Sequence, residues 1–513
     1  MSAAVLFSAC IFFVSFVCCV WIRSRQHHKP PGPKGWPIIG NLFDVPKGKA
    51  YLVYDEMAKK YGSDLLYLNM AGTPMLILNS AEAVDDLFVA KAIIYSDRPH
   101  LPMVGDLLGW NFSLALHPYG ERWRTSRALL TQQLSPSNME AYQIPCLEDY
   151  VHLFLNKLLD MPEDFENHLY LLSGGTALSS IYGIYPHSRS NLYLQHAEKA
   201  AAGLQQGTLP GSFLINTFPL LKYVPEWFPG GGFQTKAKSE RVHVRGMVND
   251  TFEFAKKSME NGTARSSMAS RALQELYNDG TWSEEKETLL RNVLGTIYCE
   301  LFTRTAATIN TIILALVLNP RILNKGQAAV DAVIGKDRLP NFHDEGTIPY
   351  IDALVMEGLR WRPIIPLGMP HYTARADVYR EHHIPAQTIV MGNTWAILHN
   401  PATYGKDVDQ FRPERFLNED GTLNSKVPYP SAAFGYGRRI CPGKAAAQHQ
   451  VWIAVASLLA CFDVTKVVDP VEADPSTEYF DGGILTPLPY RCNIKPRSKA
   501  AEALVRSSDL PGK

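Results

Sequence analysis

The sequence predicts a mainly α-helical body with small β regions, and three observations carry the prediction. The first is Glu284 to Asn319, a predominantly apolar stretch without proline. Thr281 and Glu284 stand in capping-box spacing at its start, and Pro320 follows as a stop signal. A continuous helix there runs roughly 54 Å, long enough to cross the whole body. The second is Asp64 to Asn79, two apolar runs around Ala71-Gly72 that read as a β-hairpin. Later strand-like segments are short, around Thr388–Met391 and Ile484–Arg491. The third is continuity: no repeat, low-complexity block or internal linker divides residues 38–513, which read as one domain.

Composition narrows the class. Of 513 residues, 46% are hydrophobic and 19% charged, which excludes a disordered chain and a highly charged coiled coil. Fifty Lys+Arg balance fifty Asp+Glu, so no global field draws the chain to nucleic acid. Eight cysteines without a C-x-x-C pair make neither a disulfide framework nor a multi-cysteine metal site.

Ahead of the body, Ala3 to Ile22 is uncharged and long enough to span a bilayer. Arg23, Arg25, Lys29 and Lys34 follow it and no basic residue precedes it, which places the C-terminal side in the cytoplasm. A cleaved signal peptide would want a basic start, a shorter apolar core and a small-x-small site. Residues 3–22 are therefore expected to be a transmembrane anchor. Residues 29–37, Lys-Pro-Pro-Gly-Pro-Lys-Gly-Trp-Pro, are expected to be a stiff extended hinge.

The most informative stretch runs from Phe434 through Gly437, Arg439 and Cys441 to Gly443. Its glycines permit positive φ and close approach to a bulky planar group. Cys441 precedes a predicted helix start, with Pro442 where a missing N–H costs little. The positive helix end there favours thiolate over thiol. One thiolate in a glycine-lined loop suits one axial position on heme iron, since zinc and iron–sulfur clusters want more cysteines. Arg438 and Arg439 could offer a cation to a carboxylate of the bound group.

The pattern F-x-x-G-x-R-x-C-x-G on these residues resembles the heme-binding signature of the cytochrome P-450 family, microsomal type. Further motifs follow in that family's order: Trp123-x-x-x-Arg127, Glu357-x-x-Arg360, His371 after Pro370, and Phe411-Arg-Pro-Glu-Arg415-Phe. Residues 209–232, with Pro225-Glu-Trp-Phe-Pro229, are most similar to the fungal secondary-metabolism branch that includes O-methylsterigmatocystin oxidoreductase-like enzymes. The resemblance implies a heme-thiolate monooxygenase fold with heme b ligated by Cys441. Trp123, Arg127, His371 and Arg439 match the propionate contacts, and Phe434, Gly437 and Gly443 the rest of the heme cradle. It implies that Glu357, Arg360 and Arg415 form a buried network fixing the Cys441 loop. Glu357 and Arg360, three apart, share a helix face and can bond. No flavin or dinucleotide domain is evident, so electrons are expected from a separate NADPH-dependent flavin reductase at the endoplasmic reticulum membrane. One atom of O2 would enter a lipophilic small molecule.

One segment breaks the family pattern. The distal helix usually carries A/G-G-x-D/E-T-T, and counting back from Pro320 puts that motif on Glu300-Leu-Phe-Thr-Arg-Thr305. Thr303 stands at the acid position, Arg304 at the alcohol position and Leu301 at the groove glycine. Thr303 and Thr305 are the hydroxyls left to position water. Glu300 and Arg304, four apart, can pair along the helix. Two origins stand open, a genuine substitution and a misjoined stretch of the gene. If genuine, the rival reading is a heme-binding protein with lost or altered oxygen activation. By family position, the substrate pocket is expected from His100–Leu108, Gly203–Phe213, Leu301–Thr305, Ile364–Leu367 and Gly483–Thr486. Trp227 and Phe228 are candidates for the membrane interface.

Overall fold

The computed structural model describes residues 28–209, 212–467 and 478–508. The predicted anchor, residues 3–22, lies outside them. The helices that position the site are α1 (Glu121–Gln133), α2 (Phe165–Tyr182), α3 (Leu192–Thr208), α4 (Gly232–Arg245), α5 (Glu284–Leu318), α6 (Pro349–Trp361) and α7 (Lys444–Cys461).

Helix α5 is the predicted long helix, with one correction at its start. Its N-cap is Ser283, whose hydroxyl accepts from the Lys286 N–H; Thr281 lies in the link before it. Glu284, Glu285 and Glu287 in its first turn suit the positive helix end. Pro320 does more than stop it, because it opens the next helix, Pro320–Ile334. From Leu290 to Val317 its side chains are buried on nearly all sides, which makes it the axis of the core. It is long and apolar enough to cross a membrane, yet 82% of its most apolar window is buried inside the protein. Helices α2, α6 and α7 pack along it and share its apolar core.

A small sheet forms beside this bundle. Strands β1 (Leu65–Met70) and β2 (Thr73–Leu78) are the predicted hairpin, paired Leu65 to Leu78, with Ala71 and Gly72 at positive φ in the turn. Among the other strands, β3 is His371–Tyr372, β4 Asp377–Tyr379, β5 His382–Ile384 and β6 Ile389–Gly392. The sheet order is β1-β2-β6-β3, with β6 parallel to β2 and antiparallel to β3. The segment predicted at Ile484–Arg491 divides into β9 (Leu485–Pro487), paired with β8 (Tyr479–Asp481), and then breaks before β10 (Cys492–Pro496). Pro487 and Pro489 supply no N–H to a ladder, which accounts for the break. Strand β7 (Phe462–Lys466) pairs with β10.

Residues 29–37, the expected hinge, pack back on the body. The Tyr67 N–H of β1 donates to the Pro31 carbonyl at 2.8 Å, and Trp36 and Gly40 exchange backbone hydrogen bonds. Its proline-rich run therefore lies against the hairpin, which fixes where the chain leaves toward residue 28.

Candidate functional site

The cysteine loop is closed by backbone. The Cys441 N–H donates to the Phe434 carbonyl at 2.8 Å, and Gly443 is the N-cap of α7. Gly437 sits at φ 52, and a Cβ there would lie 2.0 Å from the Phe88 carbonyl oxygen. That is a correction to its expected role: Gly437 admits the backbone of the helical turn Asp85–Ala90 and is not among the residues that line the cavity. Phe434, Gly443 and Cys441 do line it, with Glu300, Leu301 and Thr305 of α5, around an empty space of ≈ 1550 Å³, solvent mouth included; Leu301 reaches to 3.7 Å from where a Cβ on Gly443 would lie. Burial pushes the Cys441 thiol up, and Glu300 adds to that; Arg304, the Gly443 N–H and Arg127 oppose it. The helix-end effect expected from sequence is thus outweighed by burial.

A ring of cations closes one side of the cavity. Arg439 donates from Nε to the Ser96 carbonyl at 2.7 Å and from Nη2 to the His117 carbonyl at 2.7 Å. Its guanidinium lies 4.6 Å from the Trp123 ring. Arg98 donates to the carbonyls of Ala115, Met369 and Pro370. Both arginines are buried, and among the described residues neither forms an ion pair. Burial pushes Arg439 down to about 10, helped by Arg127 and opposed by Asp97. Burial, then Arg439, pushes Arg98 well below its ordinary value. His371 uses Nδ1 on the Tyr95 carbonyl at 2.6 Å and stacks on Phe88, leaving Nε2 as its other ring nitrogen. Burial and then Arg98 hold its pKa far down. Trp123 and Arg127, on α1, line the same cavity.

The four expected propionate contacts therefore meet around one space, and the structure adds Arg98. Its only sequence signal is a cation in Asp97-Arg98-Pro99, a segment with no periodicity to place it. Arg438 instead turns outward to the Tyr119 hydroxyl. Buried guanidiniums held by carbonyls alone are half of a charge arrangement. A planar group carrying two carboxylates and an iron that takes one sulfur supplies the other half, and the residues present fit it.

Behind the loop, the Glu357 carboxylate on α6 receives Arg360 at 2.7 and 2.8 Å and Arg415 Nε at 3.0 and 3.1 Å. The Arg412 N–H adds a bond at 2.8 Å. The remaining guanidinium donors go to the carbonyls of Leu398, Tyr404, Asp407 and Gln410, and Arg415 Nη1 also donates to the Asp407 carboxylate at 3.2 Å. This is the predicted network, and it is fully desolvated: Glu357 and Arg360 are each 0% exposed.

The family model described as Cytochrome P450 matches residues 30–494. The chain belongs to the cytochrome P-450 family. It is 39% identical over 496 residues to Cytochrome P450 monooxygenase ple1 of Rhodocybe pseudopiperita, covering 96% of this chain and 94% of that protein. It is 38% identical over 492 residues to Cytochrome P450 monooxygenase COX2 of Coprinopsis cinerea, covering 95% and 92%. It is 37% identical over 485 residues to Tryptamine 4-monooxygenase of Psilocybe cyanescens, covering 93% and 94%. As a P-450 the chain is an oxidoreductase of the monooxygenase type, a family that binds heme through a cysteine thiolate and uses O2 with a redox-partner reductase.

The segment 300–305, expected from its sequence to depart from the family pattern, lies within α5. Arg304 bonds the Glu300 carboxylate along α5, as the spacing predicts. The Thr305 hydroxyl is buried and lies 3.5 Å from the Leu301 carbonyl one turn back. The side chain of Thr303 lies outside the described residues. A second cavity of ≈ 1790 Å³, open solvent included, adjoins the first, lined by Tyr51, Leu204, Leu209, Leu367 and Ile484 among others. Four of the five expected substrate segments contribute to one cavity or the other. His100–Leu108 does not: Met103, Val104 and Leu108 are core residues, and Val104 and Leu108 pack beside Gly207 of α3.

Proposed function

We propose that this chain is a membrane-anchored heme-thiolate monooxygenase that oxidises a lipophilic small molecule. Heme b is held by Cys441, and electrons come from an NADPH-dependent flavin reductase at the endoplasmic reticulum membrane. The observation that carries the reading is the shared cavity, lined by the Cys441 sulfur, by α5, and by buried arginines that form no ion pair among the described residues. When bound, the heme–thiolate unit supplies reductive activation of O2. Trp123, Arg127, His371 and Arg439, joined by Arg98, bind the propionates and exclude water from them. Phe434 and Gly443 shape the cradle. Glu357, Arg360 and Arg415 hold the loop so that the sulfur keeps its position. The Thr305 hydroxyl, turned to Leu301, keeps lone pairs free to accept from a water beside the distal face, and Thr303 is the second candidate for that work.

Residues 3–22 are proposed as the single-pass anchor, with residues 29–37 as hinge and 38–513 as the cytosolic catalytic domain. Exposed Trp36, Ile38 and Phe43, and exposed Leu214, Leu220, Tyr223 and Trp227, support contact with lipid. Val45 and Leu209, next to these two groups, line the outer cavity, a route for substrate from the bilayer. Phe228, beside Trp227, is half exposed in the same run.

The test is a reduced-CO difference spectrum of the purified protein, followed by reductase-supported turnover of a lipophilic panel with oxygen and peroxide balanced. Wild type is expected to show the thiolate-type band and product formation. A Cys441→Ala protein that keeps that band refutes the reading. Arg304 at the alcohol position favours a second reading, altered oxygen activation with reducing equivalents lost to peroxide. Restoring a Gly-x-Asp-Thr arrangement at 301–304 raises coupling if that reading holds. Sequencing the transcript across residues 290–310 separates a genuine substitution from a misjoined gene.

A further inference from the structure

The Glu300–Arg304 pair stands where the two cavities meet. Both residues line the inner cavity and both line the outer one, together with Ala115, Ile365, Gly368 and Met369. The shared wall is otherwise apolar, so the pair is the charged feature a molecule meets on passing from the outer chamber to the heme. A guanidinium carries five N–H donors. Among the described residues Glu300 is its ion-pair partner, and Arg304 keeps 26% of its side chain accessible inside the protein. Donors in an apolar cavity are costly unless something accepts from them.

The charge around the inner cavity has a sign. Arg98, Arg127, Arg304, Arg362 and Arg439 line it against the single carboxylate of Glu300. Two propionates answer two of those guanidiniums, and Arg362 lies against the Trp361 and Trp395 rings with a bond to the Trp361 carbonyl. The wall therefore keeps a positive surplus after its cofactor is counted. Glu300 offsets the charge of Arg304 itself, so the surplus belongs to the arginines around it, and what Arg304 brings to the chamber junction is N–H donors that its one ion-pair partner leaves over.

We propose that Arg304, oriented by Glu300, is a specificity-determining residue that anchors an anionic group, a carboxylate, on an otherwise apolar substrate. The inference rests on the heme-thiolate reading and deepens it, naming the class as lipophilic carboxylic acids. A neutral ester of the same skeleton loses the charge-assisted bonds, and a cationic amine meets the surplus of like charge. Glu300 competes for the same donors, so neutralising it strengthens the anchor.

The experiment is equilibrium binding by calorimetry to the purified full-length holoprotein, with dodecanoic acid, its methyl ester and dodecylamine as probes. Wild type is expected to bind the acid about tenfold or more tightly than the ester, with the amine weakest. Arg304→Leu is expected to lose about tenfold for the acid while the ester changes little, and Glu300→Gln to gain for the acid. Arg304→Lys, which keeps charge without the fork, is expected to fall between. Equal binding of acid and ester to wild type overturns the proposal, as does preference for the amine, or no detectable acid binding. If Arg304→Leu does not fold, the wild-type comparison and Arg304→Lys decide. Heme content and the thiolate band are recorded on each sample: a protein with both and no acid preference refutes this inference alone, whereas wild type without the band refutes the reading beneath it.

Discussion

Two glutamate–arginine pairs lie on two helices of this P-450, and they do opposite work. On α6, Glu357 and Arg360 are three apart; on α5, Glu300 and Arg304 are four apart. Both spacings put the partners on one helix face. The α6 pair is sealed from solvent and saturated, with Arg415, the Arg412 N–H and a set of carbonyls consuming what the salt bridge leaves. The α5 pair keeps about a quarter of each side chain accessible and is bordered by empty space on two sides. A saturated pair can only hold geometry, while an unsaturated one has donors to give. The difference lies in what surrounds each pair, since the local spacing is nearly the same.

The same chemical edit at the two glutamates breaks the comparison most directly. Glu357→Gln leaves two buried guanidiniums facing a neutral amide, and is expected to cost about 3–5 kcal/mol. Thermal unfolding with heme occupancy checks it: for 513 residues that cost is a Tm fall of roughly 3–5 °C, and an unchanged Tm with full heme occupancy would show that the network is not holding the loop. Gly437→Ala attacks the same loop from the other side. The added Cβ collides with the Phe88 carbonyl at a positive φ, an expected cost of about 2 kcal/mol or more, read as a fall in Tm.

A pH titration sharpens the contrast. His399, stacked on Trp395 near the α6 network, is pushed down to about 3 by burial, then by Arg360 and Arg362. Its folded pKa lies below the ordinary 6.5, so between those values the unfolded chain binds a proton that the folded chain refuses. Stability is then full above pH 6.5 and falls as the pH drops toward 3, by at most about 1.4 kcal/mol per pH unit for this group. His399→Phe should flatten that slope in acid-unfolding curves without changing stability above neutrality by as much. The smallest effect is expected from Glu300→Gln, within about 1 kcal/mol of wild type in the same unfolding assay, because its pair is only partly desolvated. A loss as large as that of Glu357→Gln would erase the distinction between the two regions.

The legible part of the site was the part written in short intervals. Cys441 and its glycines lie within ten positions, and Glu357 with Arg360 within one turn, so their chemistry could be recognised before any folding. Arg98 escaped notice because its role comes from contacts with Ala115, Met369 and Pro370, the latter two over 270 positions away, with no local pattern to mark them. Gly437 was given to the cofactor for the same reason, since the carbonyl it avoids belongs to Phe88. The His100–Leu108 segment, assigned to the pocket by family position, instead fills the core beside α3.

By itself the chain's order of residues determined a mainly helical fold, a single cysteine suited to iron, the Glu–Arg pairing on each helix, and the departure at residues 300–305. Those follow from helix periodicity, capping chemistry and ligand type, all of which act over a few positions. Tertiary structure alone decided which cations share a cavity with that cysteine, which glutamate–arginine pair is sealed and which is left with free donors, and that the latter borders two chambers. Burial and long-range contact settle such matters, because the desolvation of a charge depends on everything packed around it and not on its neighbours in the chain.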